Sequence, residues 1–401
     1  MNPGPVTYHL GCDFFRTDEG VMCFQPKKYI EKMLDNYQRI FKGELPRKVY
    51  SPLEKGDHPE TDTSELLDEE NTKIYQSLIG ALQWVIQIGR FDVCTAVMTM
   101  SRFRAAPRQG HLDRVKRIHG YLSRFRGAAI RIRTDMPDYS DLQEYIYDWQ
   151  DTCYKGAKEP IPDNAPKPLG KPVRTTSFVD ANLYHDLVNG RSVTGILHMV
   201  NQTPIDWFSK LQATVETATY GSEFVATRQC VEQIIDLRLT LRYLGVPIEG
   251  SSYLFGDNKS VVDSSTMPHG KLHKRHHALS FHKTREAVAA GIVRYHHMRS
   301  EKNPADILSK HWDRPSVWGT LQPLLFWHGD TADLIGLKGS DEEGLQGSLD
   351  KEEETVSRSE DVPKQELLAD ELAASQRDDR TEGDTAQGHT TDPTVDVSND
   401  T

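Results

Sequence analysis

The stretch SSYLFGDNKSVV, residues 251–262, places an acid, Asp257, at the end of a strand-forming run and directly before a helix start. An acid at such a position is ordinarily a turn former or a helix cap. Asp257 can act as a metal ligand only if the fold brings other acids close to it. Its role therefore depends on where the surrounding strands and helices place their acids.

The segments around this stretch alternate between strand and helix patterns. Short β-branched and aromatic runs predict strands, and apolar residues at helical spacing predict helices. The order is three strands, helix, strand, helix, strand, helix, which predicts an α/β (α+β) fold. The predicted strands cover residues 174–181, 191–200, 204–210, 252–257 and 291–297, and the helices cover 220–244, 274–290 and 303–312.

Four acids fall at the ends of these elements. Asp180 ends the first strand, Glu223 lies in the first turns of the long helix, and Asp257 ends the fourth strand. In NPADILSK the Asn can cap and the Pro occupies the first helical position, which places Asp306 one turn into the last helix. Each acid therefore lies at an edge where a cleft can form.

Four carboxylates that converge on one point repel each other, and bound divalent cations offset this electrostatic repulsion. Two hard ions held by oxygen ligands support in-line displacement at phosphorus, and magnesium prefers such ligands. The acids thus predict a site for two Mg²⁺ ions, with Mn²⁺ as an alternative. Taken singly, each acid is more simply a turn former, a cap or a helix-dipole partner.

The first 133 residues predict a folded region that ends in a basic segment. Helical spacing covers residues 29–41 and 74–89, separated by a loop over 51–71. Residues 100–133 carry ten Arg and Lys against one acid, with aromatic residues interleaved. This composition suits a phosphate backbone, although a solvated helix face explains it equally well. The predicted contacts here are Arg102, Arg104, Arg114, Lys116, Arg117 and Arg124.

Charge and composition predict the character of the remaining segments and the compartment of the protein. The net charge is -11 overall and -14 in residues 341–401, which leaves +3 for residues 1–340. Residues 134–172 are rich in proline and predict a linker, whereas residues 331–401 predict a disordered acidic tail. Five dispersed cysteines, the first residues and the lack of a long apolar run predict an intracellular protein, cytoplasmic or nuclear and not secreted, without a membrane partner.

Several stretches together resemble the Pol polyproteins of copia-type LTR retrotransposons. Residues 7–127 resemble the end of the reverse transcriptase, and residues 173–312 resemble the ribonuclease H (RNase H) domain that follows it. The resemblance implies a palm-end and thumb fragment over 1–133 and, after the linker over 134–172, an RNase H-like domain over 173–330. It also implies that this domain is an RNase H-like mixed sheet flanked by helices. The matching stretches are YHLGCDFF, YQSLIGALQWVIQIGRFDVCTAVMTMSRF, HLDRVKRIHGYL, SFVDANL, GRSVTGI, IDWFSKLQATVETATYGSEFVA, GDNKSVV, RHHALSFHKTRE and NPADILSK.

The resemblance implies roles for individual residues. Asp180 would bridge both metal ions, Asp306 would help to hold the ion that activates water, and Glu223 with Asp257 would hold the second. Residues 269–285 contain five His, five Lys plus Arg and no acid, which favours contact with substrate as much as a plain surface helix. The predicted nucleic-acid contacts in the RNase H-like part are Lys210, Lys274, Arg275, His276 and His282.

The chain also departs from the family pattern. It reads DANL where the family commonly reads Asp-Ala-Asp-Trp, and it has Tyr220 and Gly221 where an acid often precedes the catalytic Glu. The paired aspartates of the polymerase, which precede the Tyr-Leu-Gly strand in the family, are absent. Polymerisation by this chain alone is therefore not expected.

The leading functional prediction is an RNase H-type endoribonuclease that hydrolyses the RNA strand of RNA·DNA hybrids. Its partners would be such a hybrid or a template-primer duplex, and other parts of a polyprotein. The alternative is a nonenzymatic nucleic-acid-binding remnant or host-adopted protein. The oligomeric state stays open.

Overall fold

A small antiparallel sheet joins the start of the chain to residues some hundred positions later. The structure is a computed structural model that describes residues 4–143, 146–272 and 274–328. The sheet has the order β1-β2-β3-β4, and Phe24 pairs with Ile130 across its last two strands. Its strands are β1 (Tyr8–His9), β2 (Cys12–Arg16), β3 (Met22–Gln25) and β4 (Ile130–Arg131).

Four helices fill the segment between β3 and β4. The predicted helix over 29–41 corresponds to α1, and the predicted buried helix over 74–89 corresponds to α2, which begins five residues earlier. Asp68 caps α2 by accepting a hydrogen bond from the backbone N–H of Asn71. The helices are α1 (Lys27–Phe41), α2 (Glu69–Gln87), α3 (Cys94–Ser101) and α4 (Gln109–Arg124).

A mixed five-stranded sheet organises the second half of the described chain. Its order is β7-β6-β5-β8-β9, in which β5, β6 and β7 are antiparallel while β8 and β9 run parallel to β5. All five strands were predicted, and the mixed sheet flanked by helices is confirmed. The strands are β5 (Thr175–Asn182), β6 (Val193–Val200), β7 (Thr203–Leu211), β8 (Ser252–Gly256) and β9 (Val293–His297).

The helices of this half differ from the prediction in four places. The helix α9 (Arg314–Leu325) was not predicted, and α6 (Lys259–Thr266) was predicted only as a helix start after Asp257. The other two differences concern the extent of predicted helices. The predicted helix over 303–312 is a single turn, α8 (Asp306–Ser309). Asn303 lies ahead of this turn: its side-chain amide donates to the carbonyl of Val179 at 2.9 Å, and its Oδ1 accepts from the backbone N–H of Ala305 at 3.1 Å. The predicted helix over 274–290 begins with a 3-10 turn, Arg275–His277, and becomes α-helical at Ala278. The helices are α5 (Thr219–Tyr243), α6 (Lys259–Thr266), α7 (Ala278–Ala289), α8 (Asp306–Ser309) and α9 (Arg314–Leu325).

Two apolar clusters lie on opposite sides of the mixed sheet. One contains residues of β5, β6 and β8 with α5, α6 and α7. The other runs continuously from α1–α4 to Leu197 of β6, Ile307 and Leu308 of α8, and residues of α9. The indole N–H of Trp207 also donates to the carbonyl of Ile86 at 3.1 Å. The first and second halves of the described chain therefore share one core.

The predicted division at residues 133, 172 and 330 stays a prediction. The predicted tail, residues 331–401, lies outside the described residues. Among the helices of the described ranges, none is both long and apolar enough to cross a membrane.

Candidate metal centre and nucleic-acid surface

Three of the four predicted acids meet at one edge of the mixed sheet. Asp180 lies near the end of β5, Asp257 follows β8, and Glu223 projects from the second turn of α5. Because β5 and β8 are parallel, their carboxyl ends reach the same edge. One carboxylate oxygen from each residue lies within 4.8 Å of the other two.

Asp306 adjoins this group through α8. The ammonium of Lys310 lies 3.0 Å from Asp306 Oδ2 and 3.7 Å from Asp180 Oδ2, so it bridges the two acids. The hydroxyl of Ser309 donates to Asp180 Oδ2. On the other side of the group, the hydroxyl of Ser300 donates to Asp257 Oδ2 at 2.5 Å. The sequence analysis missed these three neighbours.

The electrostatics of the group favour a cation. Burial, followed by the negative charges of Asp180 and Asp257, raises the pKa of Glu223 well above its ordinary range. Burial and the charge of Asp180 raise the pKa of Asp306 to about 7. Asp306 Oδ1 is buried and accepts no hydrogen bond from the described residues. A buried set of oxygen ligands with a surplus of negative charge fits hard divalent ions such as Mg²⁺ or Mn²⁺.

A close backbone approach brings α8 to the sheet. Gly195 of β6 pairs with Asp180 of β5. A Cβ atom on Gly195 would lie 2.6 Å from the carbonyl oxygen of Ala305 and 2.7 Å from the backbone N of Ser309. Only glycine leaves room for α8 at this distance, so the GRSVTGI stretch contributes to the site without supplying a ligand.

Five of the six basic contacts predicted between residues 102 and 124 have side-chain partners within the protein. Arg114 forms ion pairs with Asp57 at 2.8 Å and with Asp62 at 2.7 Å, and Arg102 pairs with the buried Asp186. Arg117 pairs with Glu54 at 3.0 Å, Lys116 pairs with Asp113 at 3.3 Å, and Arg124 stacks over Tyr50, while Arg104 is exposed.

The predicted contacts of the RNase H-like part fall into two groups. Lys210, Lys274 and Arg275 are exposed. His276 lies 3.5 Å from Glu216, and Nδ1 of His282 is hydrogen-bonded to the hydroxyl of Tyr154 at 2.7 Å. The nucleic-acid role of all these residues stays a prediction.

Comparison with known proteins links the chain to transposon polyproteins. The retrovirus-related Pol polyprotein from transposon TNT 1-94 of Nicotiana tabacum is 25% identical over 313 residues, covering 77% of this chain and 20% of that protein. The corresponding polyprotein from transposon RE1 of Arabidopsis thaliana is 22% identical over 240 residues, covering 60% of this chain and 14% of that protein. The chain thus spans a fifth or less of both relatives. The predicted resemblance to copia-type Pol polyproteins is confirmed.

The chain is also similar to solved RNase H structures. An N-terminal RNase H domain from Mycobacterium tuberculosis, solved as a fusion with maltose-binding protein, is 12% identical. The alignment covers 38% of this chain and 98% of that chain, with a TM-score of 0.28. No protein-family profile matches the chain.

Proposed function

We propose that the part of the chain built on the mixed sheet is an RNase H-type endoribonuclease that cleaves the RNA strand of RNA·DNA hybrids. The observation that carries the proposal is the meeting of Asp180, Glu223 and Asp257 within 4.8 Å, with Asp306 beside them. Such a buried and mutually repelling group lowers stability unless it binds a cation. The similarity to transposon Pol polyproteins supports the same class of activity.

The four acids would hold two Mg²⁺ or Mn²⁺ ions. When bound, two such ions activate a water molecule and stabilise the leaving oxygen of a phosphodiester. Asp180 is 2% exposed and Glu223 is 4% exposed, so their surroundings fix the direction of their oxygens. Lys310 holds the carboxylates of Asp180 and Asp306 together, which keeps α8 in place before substrate binds.

The exposed cations would bind the phosphate backbone. Arg104, Lys210 and Arg275 are exposed, so their charges can reach a duplex. Arg114 is held between two aspartates, so we assign it a structural role in the first instance. Residues 1–133 would then bind template and primer as a reverse transcriptase fragment.

The test uses the full chain and an end-labelled RNA·DNA hybrid, with magnesium or with a chelator. Asp257→Asn should reduce cleavage by at least about 100-fold, the scale of one lost electrostatic contact in an active site. Asp263→Asn is the matched control, because Asp263 lies six residues away on α6 and pairs with Lys259 at the surface. The control should cleave as the wild type does.

Stability separates loss of chemistry from loss of fold. Asp257 raises the pKa of Glu223 by repulsion, so Asp257→Asn should melt no lower than the wild type in chelator. Intact RNA despite salt-sensitive hybrid binding by the wild type would instead identify the nonenzymatic remnant. Cleavage that persists in chelator or in Asp257→Asn would reject the metal-dependent site.

A further inference from the structure

A second group of metal-ligand atoms lies beside the start of α5. Glu216 precedes α5 by three residues, and His276 and His277 belong to the 3-10 turn Arg275–His277 before α7. Oε2 of Glu216 lies 3.2 Å from Nε2 of His277 and 3.5 Å from Nε2 of His276. One ligand atom from each of the three residues lies within 4.8 Å of the other two.

These separations match the spacing of zinc ligands. Bonds of about 2.0–2.1 Å at a tetrahedral angle place two ligand atoms about 3.3 Å apart. The donor set of two imidazole nitrogens and one carboxylate oxygen is also one that zinc uses in proteins. The all-oxygen group around Asp180 suits magnesium instead, so the two groups differ in the metal that they select.

His277 lacks the hydrogen bonds that a buried imidazole normally makes. It is 5% exposed, and neither ring nitrogen has a hydrogen-bond partner among the described residues. Its Nε2 is close to Glu216 but lacks hydrogen-bond geometry toward it. Buried polar groups without partners are uncommon and point to a missing ligand.

The surrounding residues hold the pair in place. A Cβ atom on Gly221 would lie 2.5 Å from Oε2 of Glu216 and 2.7 Å from Cε1 of His277, so α5 closes tightly over both. The ring of Tyr220 stacks on His277 with centroids 5.9 Å apart. Glu216 is itself 5% exposed. Lys274 lies at the rim and opposes a cation, but its exposed charge is largely screened by water.

We propose that Glu216, His276 and His277 bind a Zn²⁺ ion, with the fourth position open to solvent. The side chain of His276 is 59% exposed, which leaves that side accessible to a water ligand. The ion ties the turn before α7 to the start of α5, the helix that carries Glu223. His276 then acts as a metal ligand and not as a direct contact to the nucleic acid.

The test measures metal binding by the full chain in excess magnesium, which fills the four-acid group. Zn²⁺ is titrated against a chromophoric chelator, and Co²⁺ serves as a spectroscopic probe because tetrahedral cobalt absorbs strongly in the visible range. We expect one Zn²⁺ per chain and a tetrahedral cobalt spectrum. His276→Gln and Glu216→Gln should each weaken zinc binding by at least 10- to 100-fold, a loss that even outer-shell changes cause.

The controls separate this site from others. His282→Gln should leave zinc affinity unchanged, because His282 lies on α7 and is bonded to Tyr154. His276→Gln changes an exposed side chain, and it should melt like the zinc-free wild type but gain no stability from added zinc. Wild-type zinc affinity in both ligand variants, or no zinc uptake by the wild type, would overturn the proposal. A sulfur-to-cobalt band would likewise overturn it, by assigning the metal to the exposed Cys153.

Discussion

Gly195→Ala tests whether the approach of α8 to the sheet controls the proposed site. The new Cβ would lie 2.6 Å from the carbonyl oxygen of Ala305, whereas ordinary contacts begin at 3.4 Å. The obstructing atoms belong to the backbone, so no side-chain rotation relieves the contact. The segment that carries Asp306 must therefore move by 0.8 Å, the difference between these two distances.

Two measurable effects are expected from this displacement. Overpacking of this kind costs about 1–3 kcal/mol, which a urea denaturation curve detects. A misplacement of about 1 Å in an active site can cost about 100-fold in rate, so hybrid cleavage under single-turnover conditions should fall on that scale. Gly80→Ala is the control, since Gly80 lies within α2 with open space around its Cβ direction, and it should gain about 0.5–1 kcal/mol. Unchanged stability and cleavage in Gly195→Ala would refute the reasoning.

Ion pairs and the shared core lead to three more expected outcomes. Burial acts to raise the pKa of Glu159, but hydrogen bonds from Arg238 and a second arginine outweigh it and lower the pKa below the ordinary 4.5. This pairing therefore stabilises the fold above about pH 4.5 and is lost as the pH falls further, so Glu159→Gln should flatten the acid limb of a melting curve; an unaltered limb would contradict it. Lys210→Ala should reduce the salt slope of hybrid binding by about 1, whereas Arg114→Ala should lower the melting temperature and leave the slope unchanged; the reverse pattern would exchange their roles. Residues 134–401 alone should melt below the full chain and lose cleavage, and equal melting would argue against a shared core.

Local patterns predicted the strands of the mixed sheet and the positions of its acids. Strand runs such as 174–181 and 252–257 are short, contain β-branched or aromatic residues and are bounded by turn residues, so the local sequence indicates where each strand begins and ends. The order β7-β6-β5-β8-β9 then brings Asp180 and Asp257 to one edge. Because β5 and β8 pair in parallel, acids that are far apart in the sequence lie close together at the carboxyl ends of these strands.

Contacts between distant residues were not predictable in the same way. Asn303 matches a helix cap in sequence, and its Oδ1 does accept from the backbone N–H of Ala305. Its amide also donates to the carbonyl of Val179, 124 positions away, and the predicted helix is only one turn long. Lys310 carried a usable signal, since it follows Asp306 at the i,i+4 spacing that favours an ion pair. Glu216 and His276 carried no sequence signal that they lie close together, because sixty residues separate them.

The position of Asp306 depends on both halves of the described chain. A helix of four residues such as α8 is far too short to be stable alone, so tertiary contacts must hold it. The hydroxyl of Thr95 on α3 donates to the carbonyl of Ile307 at 3.0 Å, and Ile307 and Leu308 are fully buried in the core shared with α1–α4. Burial of each such side chain contributes about 1.5–3 kcal/mol. The first half of the described chain therefore supplies the surface that fixes α8 against the sheet, and through α8 it sets the position of the fourth acid.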